Sequence, residues 1–286
     1  MKKIVKKVKW SLRRLRLKIP KEALVLEVGS GGNPYPRANV LLDAYEDTQE
    51  RHWEELVHDR PTVLSFGENL PFKDKAFDFV VAAHVLEHTP FPEKFLHELQ
   101  RVACAGYIET PDAFMERINP YMDHRLEVTL RDGSLVIFKK ASWLNEPELV
   151  ELYEARAKKI ITQETIPQHA EEFHMRYHWK DKIDFKVVDP EIDATWDPPS
   201  KKNVISALSN GPRYKLRKLA LIFISRIFSQ NRRNAKLDVI SLMRCPECIS
   251  EDLARKSLSE VVCKNCSSSY KVDDMVYKLY NGNSSI

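Results

Sequence analysis

Residues 24–32 read LVLEVGSGG. Apolar residues flank a single acid, Glu27, and the run passes directly into Gly29, Gly31 and Gly32. A strand apolar on both faces belongs to a parallel sheet covered by helices. A glycine-rich bend at its end lets the backbone approach a ligand, because glycine takes φ angles that other residues avoid. The stretch predicts a buried first strand that ends at a nucleotide-like ligand.

Working outward, strands are expected at 39–43, 62–65, 77–83 and 106–109, with a helix over 92–102 whose Phe95, Leu96, Leu99 and Val102 fall at helical spacing. This alternation predicts an α/β fold, a Rossmann-like, mostly parallel sheet with flanking helices. Residues 126–130 and 135–139 flank Asp132-Gly133, a hairpin turn. Residues 145–180 read as mostly helical, and 185–188 as a last strand. Only ten residues, 29–38, separate the first two strands, and two of them are prolines. A crossover normally takes a dozen or more residues including a helix, so the first helix is expected to be very short or absent. The chain divides into a basic amphipathic helix (1–20), the α/β domain (21–190, with a helical insertion at about 140–180), a linker with a basic apolar helix (191–240), and a small cysteine-bearing domain (241–286).

The net charge of +4 hides an asymmetry. Residues 1–21 hold ten Lys and Arg and no acid, as do residues 198–237, which leaves a balance of −16 elsewhere. In the first arm Ile4, Val5, Val8, Leu12, Leu15 and Ile19 share roughly a 100° arc of a helix. Such a helix lies on an anionic membrane surface or packs its stripe on the next domain. The longest apolar run, 219–224, is too short for the ~20 residues a membrane span requires, so no transmembrane span is expected.

Asp43 ends the second strand, where an acid can take two ribose hydroxyls, as in dinucleotide sites. It follows Gly29 by 14 residues, not the ~20 of the dinucleotide fingerprint, which argues against a nicotinamide cofactor. Residues 67–88, GENLPFKDKAFDFVVAAHVLEH, and 98–111, ELQRVACAGYIETP, are more specific. Together with LEVGSGG and LLD they resemble the class I S-adenosylmethionine-dependent methyltransferases of type 11, over about residues 22–111. The resemblance implies that Glu27, Gly29, Ser30 and Gly31 face the methionine end of S-adenosylmethionine, Asp43 the ribose, Phe66 and Gly67 the adenine, and His84 the sulfonium. The family usually carries an acid where this chain has Phe66.

His84, Glu87 and His88 spell H-x-x-E-H, a metalloprotease motif when it lies on a helix. Here it follows the buried strand FDFVVAA, which argues against a protease. As catalytic candidates in methyl transfer, His84 or His88 has the intrinsic pKa of a base near neutral pH, and Glu87 can orient either. Alternatively His84 only lines the cofactor while Glu87 and His88 cap the next turn. His124 and Arg125 are further candidates for reaching the acceptor, and Arg125 suits an anionic one.

Cys245-Pro-Glu-Cys248 and Cys263-Lys-Asn-Cys266 give C-x2-C-x14-C-x2-C, two knuckles that offer four thiolates to one structural Zn²⁺. Cysteines used in this way imply a reducing compartment, hence a cytoplasmic protein, peripheral to a membrane if the basic helices engage lipid. The segment resembles the zinc-ribbon activators of translation-related methyltransferases, which usually have Gly where Ser267 stands. The expected function is methyl transfer from S-adenosylmethionine to a small, lipid-linked or saccharide acceptor. RNA or a translation factor is the alternative acceptor, and a non-catalytic scaffold of the same fold is the third reading.

Overall fold

The computed structural model describes residues 2–46, 55–143, 147–199, 219, 222–224 and 226–280. Residues 200–218 of the expected linker and basic apolar helix lie outside the described residues. The fold is α/β, a mixed and mostly parallel sheet with flanking helices. The chain divides into two compact units. One comprises Glu22–Val81, His97–Cys104 and Ser200–Ile286, here the ribbon unit. The other comprises Met1–Lys21, Ala82–Leu96 and Ala105–Pro199, the hairpin unit.

In the ribbon unit β1 (Val25–Val28), β2 (Val40–Asp43) and β3 (Thr62–Leu64) run parallel, with Leu26 opposite Val40 and Leu41 opposite Thr62. Every residue of these strands is buried, which is why they read as continuous apolar runs. β4 (Phe77–Ala83) follows on the far side of β1. No helix joins β1 to β2. The connection is a loop, and the buried Arg60 does the work of satisfying its backbone. One terminal nitrogen, Nη1, donates to the carbonyls of Tyr35, Pro36 and Ala38 at 3.2, 3.1 and 2.8 Å, while Nε and Nη2 pair with Asp59. Asn39, fully buried, accepts from the Val25 amide and donates to Gln230 and Asn234, which ties residues 230–234 to the start of β1.

Residues 253–278 form an antiparallel meander, with β10 (Leu253–Ser257), β11 (Glu260–Cys263), β12 (Ser269–Asp273) and β13 (Val276–Lys278). β13 then pairs in parallel with β3, Tyr277 opposite Val63. Just before the meander, Lys73 and Arg244 exchange backbone bonds with Leu242 and Pro71. Arg101, near the end of helix α2 (Pro92–Val102), pairs with Glu98 and Asp74 and donates to the carbonyls of Leu70 and Phe72.

The hairpin unit opens with α1 (Lys2–Ser11), which tightens into a 3-10 turn at Arg13–Arg16 well before Pro20. β5 (Ala103–Pro111) pairs antiparallel with β8 (His174–Lys180), and Gly106 lies under the Trp179 ring, where a Cβ would meet the ring at 2.6 Å. β8 corrects the helical expectation for residues 145–180. Met175, Tyr177 and Trp179 are buried while His178 and Lys180 face out, a period of two that the charged residues around it obscured. The preceding stretch is helical, over 147–165, with five-residue π-helical segments at Tyr153–Ala157 and Ile161–Thr165. Met115 of α3 (Ala113–Ile118), Tyr153 and Ile166 form a core there, packed by Trp10 and Phe173. β6 (Leu126–Arg131) and β7 (Ser134–Lys139) form the expected hairpin. Asp132 and Gly133 both take positive φ, 50° and 78°. β9 (Phe185–Val187) pairs with β7 in this small sheet, not with the strands around β1.

Arg60→Met keeps most of the side-chain volume but removes every charged hydrogen bond to the loop. It is expected to lower stability by about 3 kcal/mol, read as a shift in the urea midpoint without a change of slope.

Candidate functional site

In the ribbon unit the end of β1 forms a tight loop. Gly29 and Gly31 take φ of 70° and 55°, and the Gly29 and Ser30 amides both donate to Leu42 O. The Gly31 amide donates to Asp43 Oδ2 at 2.9 Å and the Tyr45 amide to Oδ1 at 3.3 Å. Asp43, 7% exposed, thus holds the glycine bend and its own following turn in one conformation. Glu27, 1% exposed, accepts from the Tyr35 amide at 2.5 Å. Tyr45 and Phe66 meet edge to face with centroids 5.8 Å apart. Glu27, Gly29, Ser30, Gly31, Asp43, Phe66 and Gly67 all fall in this unit.

The hairpin unit gathers a different set. His84 sits at the end of β4 with φ of 59°, a left-handed conformation fixed by its amide donating to Glu109 O at 2.7 Å. Its ring lies between two buried carboxylates, Nε2 3.1 Å from Glu109 Oε1 and Nδ1 3.3 Å from Glu87 Oε1. Partial desolvation of the ring opposes its charge, but the hydrogen bond to Glu109 and the negative charges of Glu109 and Glu87 outweigh that and raise the His84 pKa to about 9. Glu109, fully buried, also accepts from the Tyr107 hydroxyl and from Arg13, whose Nε lies 3.0 Å from both oxygens. Burial disfavours the Glu109 charge, yet His84 and Arg13 hold its carboxyl well below the usual carboxylate range. Arg13 stacks over Trp10, and Trp10 packs on His174, whose pKa is lowered to about 4 by burial and the neighbouring His84. Beside this cluster opens a cavity of about 870 Å³, with Lys6, Lys9, Arg13, Arg16 and Arg176 among its walls.

Of the catalytic candidates, the structure brings His84 and Glu87 together. His88 Nδ1 lies 3.0 Å from Asp123 O. The Arg125 amide donates to Glu87 O, which clips the 123–125 segment to the turn Leu86–His88. His124 Nδ1 lies 2.8 Å from Glu116 Oε2. Glu116 also accepts from the Tyr121 amide and Lys140 Nζ. Arg125 itself donates to the carbonyls of Ala194 and Trp196 and stacks over the Trp196 ring. Arg13 and Glu116 carry no sequence motif. Glu109 carries a weak one, an acid inside the apolar run GYIETP that requires a buried partner.

In the ribbon the four cysteine sulfurs lie within 4.8 Å of one another, with Cys245–Cys266 at 3.6 Å and Cys248–Cys263 at 3.5 Å. Thiolates around one tetrahedral ion stand about 3.7 Å apart, given Zn–S bonds of ~2.3 Å, so this donor set fits a single zinc. The two knuckles are built alike. The residue after each second cysteine, Ile249 or Ser267, takes φ of 63° or 64°. Its amide returns to the carbonyl of Cys245 or Cys263. This conformation explains why glycine is usual where Ser267 stands.

Comparison with known proteins places these features. Residues 26–107 match the family described as the methyltransferase domain. An uncharacterized protein of Methanocaldococcus jannaschii is 26% identical over 164 residues, 55% of this chain and 75% of that one. A SAM-dependent methyltransferase of Thermotoga maritima aligns at 21% identity and TM-score 0.29 over 35% of this chain and 50% of its own. A chain from the Haloferax volcanii complex of a methyltransferase activator with a methyltransferase aligns at 18% identity and TM-score 0.29, covering 38% and 53%. The alignment takes in about half of each of these two structures. Residues 26–107 thus carry the sequence pattern of a methyltransferase domain. This segment holds the glycine bend, Asp43 and the strand that ends at His84.

Two substitutions check the local energetics. Arg13→Leu strips Glu109 of its arginine partner and is expected to cost about 2–3 kcal/mol. Glu109→Gln in the same chain should recover part of that loss, a coupling read from a thermal double-mutant cycle. Ile249→Gly removes an exposed β-branched residue from a left-handed position and is expected to stabilise the ribbon by roughly 1 kcal/mol, measured by thermal melting.

Proposed function

We propose that the chain transfers a methyl group from S-adenosylmethionine to a small acceptor bearing an anionic group, of the lipid-linked or phosphorylated saccharide kind. The observation that carries the cofactor assignment is the closure of the glycine bend by Asp43. It holds the Gly29–Gly31 backbone in one conformation, beside an acid suited to ribose hydroxyls. In this assignment Glu27, Gly29, Ser30 and Gly31 face the methionine end, Asp43 the ribose, and Phe66 and Gly67 the adenine. Tyr45, edge-on to Phe66, supplies a second aromatic wall where the family's acid is missing.

The acceptor assignment rests on the hairpin-unit cavity. Its volume of about 870 Å³ suits a small molecule, and five Lys and Arg among its walls face three acids, Asp112, Glu171 and Glu172. His84 is a cation at neutral pH in this setting, so its assigned role is to hold negative charge. Zinc, held by Cys245, Cys248, Cys263 and Cys266, is the structural ion of the ribbon. It contributes folding free energy on the order of 10 kcal/mol to a segment too small to bury a core of its own.

Calorimetric titration with S-adenosylmethionine is expected to show micromolar binding that Gly31→Arg abolishes. A folded wild-type protein that takes up no cofactor would sink the enzyme assignment. Elemental analysis should find one zinc per chain, lost in Cys263→Ser together with a lower melting temperature. Labelled cofactor offered to a lipid extract, a phosphosaccharide pool and total RNA should mark one of the first two. Label in RNA alone would overturn the acceptor assignment.

A further inference from the structure

Apart from the four cysteines, one other group of potential metal ligands stands out among the described residues: Glu87, His88 and His124, whose ligand atoms all lie within 4.8 Å of one another. We propose that these three residues hold a divalent transition-metal ion, leaving coordination positions open to water or to an oxygen of a bound ligand.

His88 Nδ1 faces the Asp123 carbonyl, which can only accept, so this nitrogen carries a hydrogen. His124 Nδ1 faces the Glu116 carboxylate and is likewise the donor. In each neutral ring Nε2 is left with its lone pair, and neither Nε2 has a hydrogen bond among the described residues. The pattern is that of metal-binding histidines, whose other nitrogen is oriented by a carbonyl or carboxylate behind it. Glu116 is anchored in turn by the Tyr121 amide and Lys140 Nζ, so the His124 ring is braced.

Glu87 supplies the independent observation. It is 2% exposed, and neither carboxylate oxygen has a hydrogen-bond partner. Its charged neighbour, His84 Nδ1, approaches only Oε1, at 3.3 Å and without hydrogen-bond alignment. A buried carboxylate without a hydrogen bond is costly, and here one ring nitrogen of each of His88 and His124 lies within 4.8 Å of it. Three electron-pair donors with no hydrogen among them are stabilised by a cation. The placement is rigid, because Arg125 N to Glu87 O and His88 to Asp123 O fasten the two segments that carry the ligands. Two imidazoles and one carboxylate select a borderline ion such as Zn²⁺, Fe²⁺, Co²⁺ or Mn²⁺ over Mg²⁺ or Ca²⁺. Small side-chain rotations bring such donors to the ~2.0–2.2 Å bonds of a bound ion. An oxygen ligand in an open position would have its pKa lowered.

The inference concerns the metal alone and does not depend on the methyl acceptor. The test is titration of full-length, zinc-filled protein with Co²⁺, followed by visible absorption. One further equivalent should bind, with the d–d bands of a nitrogen and oxygen site and no thiolate-to-cobalt charge-transfer band. Glu87→Gln and, separately, half-buried His88→Ala should lose that equivalent while keeping the circular dichroism of the parent. Glu116→Gln should weaken it by about 10–100-fold through the loosened His124 ring. Should Glu87→Gln fail to fold, His88→Ala carries the comparison. Uptake of no further equivalent, uptake seen only with a charge-transfer band, or uptake unchanged in His88→Ala would each overturn the proposal.

Discussion

The short connection between β1 and β2 constrains the ribbon unit more than any other feature. Ten residues with two prolines cannot supply the crossover helix that would satisfy their own backbone groups. The polar atoms of the loop must find partners elsewhere, and the chain provides them with side chains: Arg60 for three carbonyls, Glu27 for the Tyr35 amide, Asp43 for the Gly31 amide. The loop is therefore held by buried charges from neighbouring strands and turns. That makes it stiff without a helix, and it makes the strand ends intolerant of substitution.

Buried glutamates recur, and each is satisfied by different means. Glu27 uses a backbone amide; Glu109 uses an arginine, a histidine and a tyrosine; Glu116 uses a histidine, a lysine and an amide. Glu87 is the exception, with no hydrogen bond to either oxygen. Desolvating a carboxylate is expensive enough that three well-paired examples make the fourth conspicuous.

The strands from β1 to β4 and helix α2 were legible because their apolar patterns are strong and uninterrupted. The absent first helix was legible from length alone, and the hairpin from Asp132-Gly133. β8 was not, because His174, Arg176, His178 and Lys180 dominate its outward face and mask the alternation of Met175, Tyr177 and Trp179. The Arg13–Glu109 pair joins residues 96 positions apart, and a lone arginine in a basic arm carries no sign of which partner it will find. His124 is legible as a residue able to reach a ligand, but its pairing with Glu116 depends on how the chain bends between α3 and β6. No residue period encodes that bend.

Parallel addition of β13 to β3 joins Thr62–Leu64 to a strand more than 200 residues further along the chain. During synthesis the flank of β3 is complete long before its neighbour leaves the ribosome. Until then an apolar strand presents unpaired amides and carbonyls, the template on which chains cross-pair. The cysteine knuckles thus govern a kinetic vulnerability as well as a local fold.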